Sequence, residues 1–179
     1  DVETKNIMTK STLPVGGYSV NPYVGCTHGC KYCYASFMKR FTGHTEPWGT
    51  FLDVKYWPAI KNPRKYAGQR VVIGSVTDGS LPQEEQFGNT RRLLEQLKGS
   101  GAEILICTKS DLVVRDIDLL KEMGKVTVSW SINTLDEGFK NDMDNAGILM
   151  AMAKLFQYIL KGSDRITIDQ ELTLSLIHI

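Results

Sequence analysis

Cys26-Thr-His-Gly-Cys30-Lys-Tyr-Cys33 places three cysteines within eight residues, with three residues and then two between them. Three thiolates on one tight loop can hold a four-iron cluster and leave its fourth iron without a protein ligand, free to bind a small molecule. Electron-transfer ferredoxins use four cysteines per cluster, so every iron is capped. The competing readings are a zinc site or three unrelated buried thiols. Structural zinc takes four ligands, usually as pairs from two loops. His28 could be the fourth, but a tetrahedral wrap inside so short a loop is cramped. A disulfide with a spare thiol does not suit a chain that shows no export signal.

Upstream of the loop, residues 1–20 are polar and punctuated by glycine, and Ser19-Val-Asn-Pro-Tyr-Val24 is a short extended segment leading into it. Downstream, Tyr34-Ala-Ser-Phe-Met-Lys-Arg-Phe41 can start a helix. Residues 43–62, with Pro47, Trp48, Trp57 and Pro58, read as an irregular aromatic-rich connection. Trp48, Phe51 and Trp57 could stack on a base, but packing under this connection accounts for them better. His44 within it is a candidate acid or base, or a hydrogen-bonding surface group.

Three apolar runs then follow. Val71-Val-Ile-Gly-Ser75 ends in Thr77-Asp78-Gly79, Glu103–Cys107 ends in Thr108-Lys-Ser110, and Val126–Ile132 carries Ser129 and Ser131 near its end. Continuous apolar runs of this length read as buried strands. Between them, Leu93, Leu94 and Leu97 recur at helical spacing over residues 89–98. Asp116 is placed to cap a short helix running to Met123, with Gly124 as its stop. Alternating strands and helices predict a parallel α/β sheet with right-handed crossovers. Each run finishes in small polar or charged residues, and in such folds ligands bind outside the carboxyl ends of the strands. Cys107, alone in an apolar run, reads as a small buried hydrophobe.

The chain has 179 residues, 42% hydrophobic content and a formal net charge of +1. That is enough for one domain with its own core. Near-neutral charge leaves no polyanion footprint. No stretch approaches the roughly 20 apolar residues of a membrane span, and four cysteines without an export signal point to reduced thiols in the cytoplasm.

The segment Asn21-Pro-Tyr-Val-Gly-Cys-Thr-His-Gly-Cys-Lys-Tyr-Cys-Tyr-Ala35 resembles the radical S-adenosylmethionine (radical SAM) superfamily. Within it, the segment is similar to the branch related to spore photoproduct lyase, often labelled DNA repair photolyase-like. The likeness continues through Ile73–Asp78, Thr108–Leu120 and Ser129–Thr134. Ser36–Gly49 is similar to the radical SAM mobile pair proteins. The resemblance implies a partial (β/α)6 barrel with about four of its units in this chain. It implies a 4Fe-4S cluster on Cys26, Cys30 and Cys33, and S-adenosylmethionine held by five further residues. Tyr32 would pack on the adenine, and Thr77 and Asp78 would lie near the methionine amino group. Lys109 would pair with the methionine carboxylate, and Ser131 would sit near the ribose. The implied reaction is reductive cleavage of S-adenosylmethionine to a 5′-deoxyadenosyl radical that abstracts hydrogen from an unidentified substrate. The implied partners are a reductant protein such as flavodoxin or ferredoxin, and a second radical SAM protein.

Two departures qualify the resemblance. Spore photoproduct lyases carry a hydrogen-donor cysteine where this chain has Ser75, which speaks against thymine-dimer repair. Gly79-Ser80 stands where relatives have Pro-Tyr. Residues 1–146 read as the first part of a radical SAM domain and 147–173 as a non-family tail from a frameshift or chimera. Within that tail, 147–160 suits a helix and 164–173 alternates like a strand. The ending Leu174-Ser-Leu-Ile-His-Ile179 is what a sequencing adapter encodes in frame, and it would leave His178 without a role. The expectation is therefore a truncated radical enzyme. The alternatives are an inactive fragment of one, or a zinc or iron–sulfur binding module without turnover.

Overall fold

A computed structural model describes residues 1–12 and 17–131 of the chain. The expectations for 147–173 and 174–179 lie outside the described residues. In chain order the strands are β1 (Val2–Glu3), β2 (Thr9–Lys10), β3 (Tyr18–Val20), β4 (Tyr23–Val24), β5 (Asp53–Tyr56), β6 (Arg70–Ile73), β7 (Glu103–Thr108) and β8 (Lys125–Trp130). The α-helices are α1 (Glu84–Phe87), α2 (Asn89–Leu97) and α3 (Ile117–Glu122), with 3-10 helices at Tyr34–Phe41, Pro63–Tyr66 and Asp111–Asp116.

The main sheet has the order β2-β3-β6-β7-β8. β3, β6, β7 and β8 run parallel, and β2 closes one edge antiparallel to β3. The structure is thus mixed α/β, built on a parallel sheet whose successive strands are neighbours. Parallel pairs of this kind need long crossovers, and the intervening helices supply them.

Period-two alternation sets the faces of β7. Ile104, Ile106 and Thr108 are buried, while Glu103, Leu105 and Cys107 are only partly so. Ile104 and Ile106 join Val71 and Ile73 of β6 against Leu93, Leu94 and Leu97 of α2, then Val113, Leu119 and Met123. The leucines at helical spacing are therefore the core face of α2, as expected. Cys107 departs from the expected buried hydrophobe. It is half-buried on the other face, where burial and then the Asp78 charge push its thiol up.

Residues 43–62 are less irregular than the sequence suggests. They contain β5, which pairs antiparallel with β4 and parallel with β1. Asp116 also departs from expectation. It precedes α3 without a side-chain capping bond, and its carboxylate binds Arg115 and Arg91 at 2.8–3.1 Å. A charge-assisted bond to guanidinium outcompetes a helix amide for the same oxygens. Ser110 does cap, accepting from the Leu112 amide at 3.1 Å at the start of the 3-10 helix 111–116.

Candidate functional site at the cysteine loop

The cysteine loop joins β4 to the 3-10 helix 34–41 and lies over the carboxyl ends of the parallel strands. A small core of Tyr23, Val54 and Leu81, with Cys26 and Leu52 packed against it, supports the loop from behind. Turn bonds from the Gly29 amide to the Cys26 carbonyl (3.4 Å) and from the Cys33 amide to the Cys30 carbonyl (3.1 Å) shape it. Gly25 opens the loop at φ +89°, and a Cβ there would stand 2.4 Å from the Phe51 carbonyl oxygen. Glycine is the residue that tolerates both constraints.

The β6 tip grips this loop along its length. The Thr77 hydroxyl donates to the Gly25 carbonyl. Thr27 donates to Gln83 at 2.8 Å. The His28 Nε2 lies 2.9 Å from Asp78 Oδ2, with both side chains buried. On the upstream side, Asn21 accepts from the amides of Val76 (3.0 Å) and Thr77 (3.3 Å). Ser19 and Ser75 share a hydrogen bond of 2.5 Å, and Tyr34 donates to the Ser75 carbonyl.

Asp78 is the centre of these contacts. Besides His28, its carboxylate accepts from the Thr108 hydroxyl at 2.8 and 3.0 Å. It also accepts from the Lys109 amide at 2.7 Å and the Ser80 amide at 2.8 Å. Burial pushes the carboxyl up, but His28 and the amides of Lys109 and Ser80 outweigh it and hold the group below the usual carboxylate range. The β6 tip, the β7 tip and the cysteine loop are thus tied at one buried anion.

The three thiols are half-buried and form no disulfide. Burial pushes the Cys26 thiol up to about 11, with the backbone amides of Asp78 and His28 acting in the opposite direction. Among the described residues, no three His, Cys, Asp or Glu side chains close on one point that could hold a metal ion. A tetrahedral zinc site requires such closure, with sulfurs about 2.3 Å from one ion. A four-iron cluster takes each thiolate on a different iron. Three cysteines on one loop are a donor set that a four-iron cluster can take, one thiolate per iron.

Tyr32, Lys109 and Ser131 come together beside the loop. The Lys109 ammonium lies 5.1 Å from the centre of the Tyr32 ring and 3.3 Å from the Ser131 carbonyl oxygen. Tyr32 is 37% exposed and Ser131 is exposed. Thr77 and Asp78 are turned inward, toward the loop. His44 stands apart from the strand tips. It is stacked on Phe51 at 3.9 Å and bonded to Asp53 and Glu46. The partners of His28, Thr108, Asn21 and Gln83 escape a reading of the sequence because these contacts exist only across chain separations of 30 residues or more. The one local signal was a histidine between two cysteines, which needs some partner when buried.

These features define a parallel α/β protein whose strand tips converge on a loop of three thiols. The chain belongs to the radical SAM superfamily, whose family description matches residues 20–171. Membership points to an enzyme of S-adenosylmethionine-dependent radical chemistry. The chain is 35% identical to an uncharacterized protein of Methanocaldococcus jannaschii, over 80% of this chain and 54% of that one. It is 36% identical to an uncharacterized protein of Acidianus two-tailed virus, over 69% and 44%. It is 28% identical to the radical SAM Nalpha-GlyT isomerase of Pseudomonas phage M6, over 69% and 24%. The chain thus spans about half the length, or less, of these curated relatives. No solved structure matches. Among the described residues, no helix is long and apolar enough to cross a membrane.

Proposed function

We propose that this chain carries the cofactor-binding part of a radical SAM enzyme. Cys26, Cys30 and Cys33 hold a 4Fe-4S cluster, and S-adenosylmethionine lies across the tips of β6, β7 and β8. When bound, the cluster supplies one electron that splits the sulfonium into methionine and a 5′-deoxyadenosyl radical, which abstracts hydrogen from a substrate. The observation that carries this reading is the convergence of Tyr32, Lys109 and Ser131 beside the thiol loop.

The Lys109 ammonium offers a charge-assisted bond to the methionine carboxylate, stronger than a neutral one. The exposed Tyr32 ring offers an apolar face to the adenine, and Ser131 offers polar contacts to the ribose. Thr77 and Asp78, whose oxygens already serve the cysteine loop and the β7 tip, brace the loop that carries the cluster. A flavodoxin- or ferredoxin-type protein is the proposed electron source. The sequence of the cysteine loop supports placement in the spore photoproduct lyase-like branch, and Ser75 argues against lesion repair.

Anaerobic reconstitution with iron and sulfide tests the reading. The expected product is a brown protein with about four irons per chain that releases 5′-deoxyadenosine after reduction with dithionite. Alanine at any of the three loop cysteines should abolish both. A colourless protein holding one zinc would overturn the proposal.

A further inference from the structure

His44 belongs to a stretch, residues 44–53, that touches the cysteine loop at two places. Its Nε2 lies 2.9 Å from Asp53 Oδ2 and its Nδ1 lies 3.1 Å from Glu46 Oε2. Its ring stacks on Phe51 at 3.9 Å, with 13° between the planes. Phe51 in turn faces Gly25, where an added Cβ would stand 2.9 Å from two carbons of the phenyl ring. Trp48 meets that ring edge-on. Gly49 passes close to the middle of the cysteine loop, and a Cβ on it would stand 2.8 Å from the Gly29 Cα. Asp53 itself pairs with Val24 in the β4–β5 ladder, just before Gly25 and Cys26.

A neutral imidazole has one N–H donor and one lone pair, and an ionised carboxylate only accepts. A ring held by carboxylates at both nitrogens is therefore an imidazolium. We infer that charged His44 is a positioning residue for the cysteine loop: it ties Glu46 to Asp53 and keeps Phe51 and Gly49 seated against Gly25 and Gly29, a hold that the loop loses when the ring becomes neutral. The inference rests on the reading under Proposed function for what that loop carries. The charged groups facing the ring are Glu46 and Asp53. Asp53 also binds the Asp1 amino group through its other oxygen, and Lys39 of the 3-10 helix 34–41 binds the Thr45 carbonyl, both at 2.9 Å. On losing a proton the ring keeps one N–H, and its bare nitrogen then faces a carboxylate. Glu46 is 55% exposed against 20% for Asp53, so Glu46 is the partner that swings into water.

The test is the rate at which the reconstituted full chain loses iron to a chelator, read anaerobically from about pH 6 to about pH 9, the range in which a raised histidine titrates. His44→Gln has no charged form. Its rate divided by the wild-type rate is expected to be about three to five at low pH, the scale a partly exposed ion pair supports, and to fall toward one as pH rises. The fall should track the titration of the wild-type His44 ring, followed by NMR. Glu46→Gln supplies an amide that accepts from the charged ring and donates to the neutral one. Its rate relative to wild type should start near one and drop about threefold to fivefold as pH rises. Hydrogen exchange of the amides of residues 25–33 in the unreconstituted chain should give the same two patterns.

Ratios that do not change with pH overturn the inference, because His44 then acts by volume or not at all. So does a His44 ring that titrates at or below the ordinary 6.5. If His44→Gln does not fold, Glu46→Gln decides, and a flat ratio in it counts against the inference. Iron content of the wild-type chain is read first. A chain that takes up no cluster overturns the function proposed above, and the exchange ratios then decide whether His44 holds the loop. Loaded wild type with flat ratios overturns this inference alone.

Discussion

Replacing Arg115 by methionine should cost this protein about 3 kcal/mol of folding stability. Arg115 donates from Nη1 to the Glu84 carbonyl and from Nη2 to Glu84 Oε1, both at 2.9 Å. It also donates to Asp116 from Nε and Nη2 at 2.8 Å. Glu84 is only 1% exposed. An exposed ion pair contributes about 0–1 kcal/mol, whereas stripping one partner from a buried pair costs about 3–5 kcal/mol, because the remaining charge is left uncompensated. The lower end applies here for two reasons. Arg115 itself is 28% exposed. Glu84 also keeps the Tyr23 hydroxyl and the amides of Thr90 and Arg91 as donors. Methionine preserves the apolar stem, so the loss reports the charge and not the packing. The assay is reversible urea denaturation of the unreconstituted chain, with thermal unfolding alongside. The melting temperature should fall by roughly 6–12 °C for a chain of this length. A change under about 1 kcal/mol would refute the reasoning, since the pair would then behave as a surface contact.

Tyr23→Phe removes one donor to the same carboxylate and should cost about 1.5–3 kcal/mol by denaturation, the value of a hydrogen bond to a charged group. Gly25→Ala forces a Cβ to within 2.4 Å of a backbone oxygen at φ +89°; at least about 1–3 kcal/mol of strain is expected, and iron uptake should drop with it. Lys109→Met should weaken S-adenosylmethionine binding to the cluster-loaded chain about tenfold or more by calorimetry, as loss of a charged hydrogen bond implies; an unchanged affinity would remove Lys109 from the cofactor site. His44 should titrate above its ordinary 6.5, because Asp53 foremost and then Glu46 hold its proton against the opposing effect of burial. Since the folded value is the higher one, this contribution to stability is present in full below 6.5 and disappears as pH rises through the folded value. Asp53, held down mainly by His44, shows the opposite limb, present above 3.8 and lost as pH falls through the folded value. Denaturation midpoints of wild type and His44→Gln measured across both limbs check the sign.

The parts of the fold that could be read in advance are those where one local pattern has one outcome. Val71–Ile73 and Ile104–Ile106 are apolar without interruption, and both became central strands of a parallel sheet. Leu93, Leu94 and Leu97 can share a buried face only in a helix, and they do. β5 was hidden because Asp53-Val-Lys-Tyr56 buries only Val54 fully and sits among prolines and tryptophans. Its strand character comes from β4 and β1 on either side, not from its own composition. β1 and β2, two residues each, carry too little pattern to be read at all. Asp116 looked like a cap because capping is a local contest, and the guanidiniums that took its carboxylate come from elsewhere in the chain or from its own neighbour.

The site divides along the same line. That three strand tips and a thiol loop would meet followed from the fold rule that ligands lie outside the carboxyl ends of parallel strands. Which way each polar side chain faces did not follow, because a strand-tip carboxylate is drawn by whichever donors burial leaves unpaired. His28, at 3% exposure, cannot stay buried without a partner for its ring nitrogen, and the nearest acceptor is Asp78. Thr108 and two backbone amides have the same need and the same answer. A carboxylate with that many buried donors around it is spoken for before any cofactor arrives. Lys109 is the contrasting case: its amide belongs to Asp78, but its ammonium extends past the Tyr32 ring toward Ser131. One residue thereby links the braced loop to the open side of the site. This is why Lys109→Met should change cofactor affinity without loosening the loop that Asp78 holds.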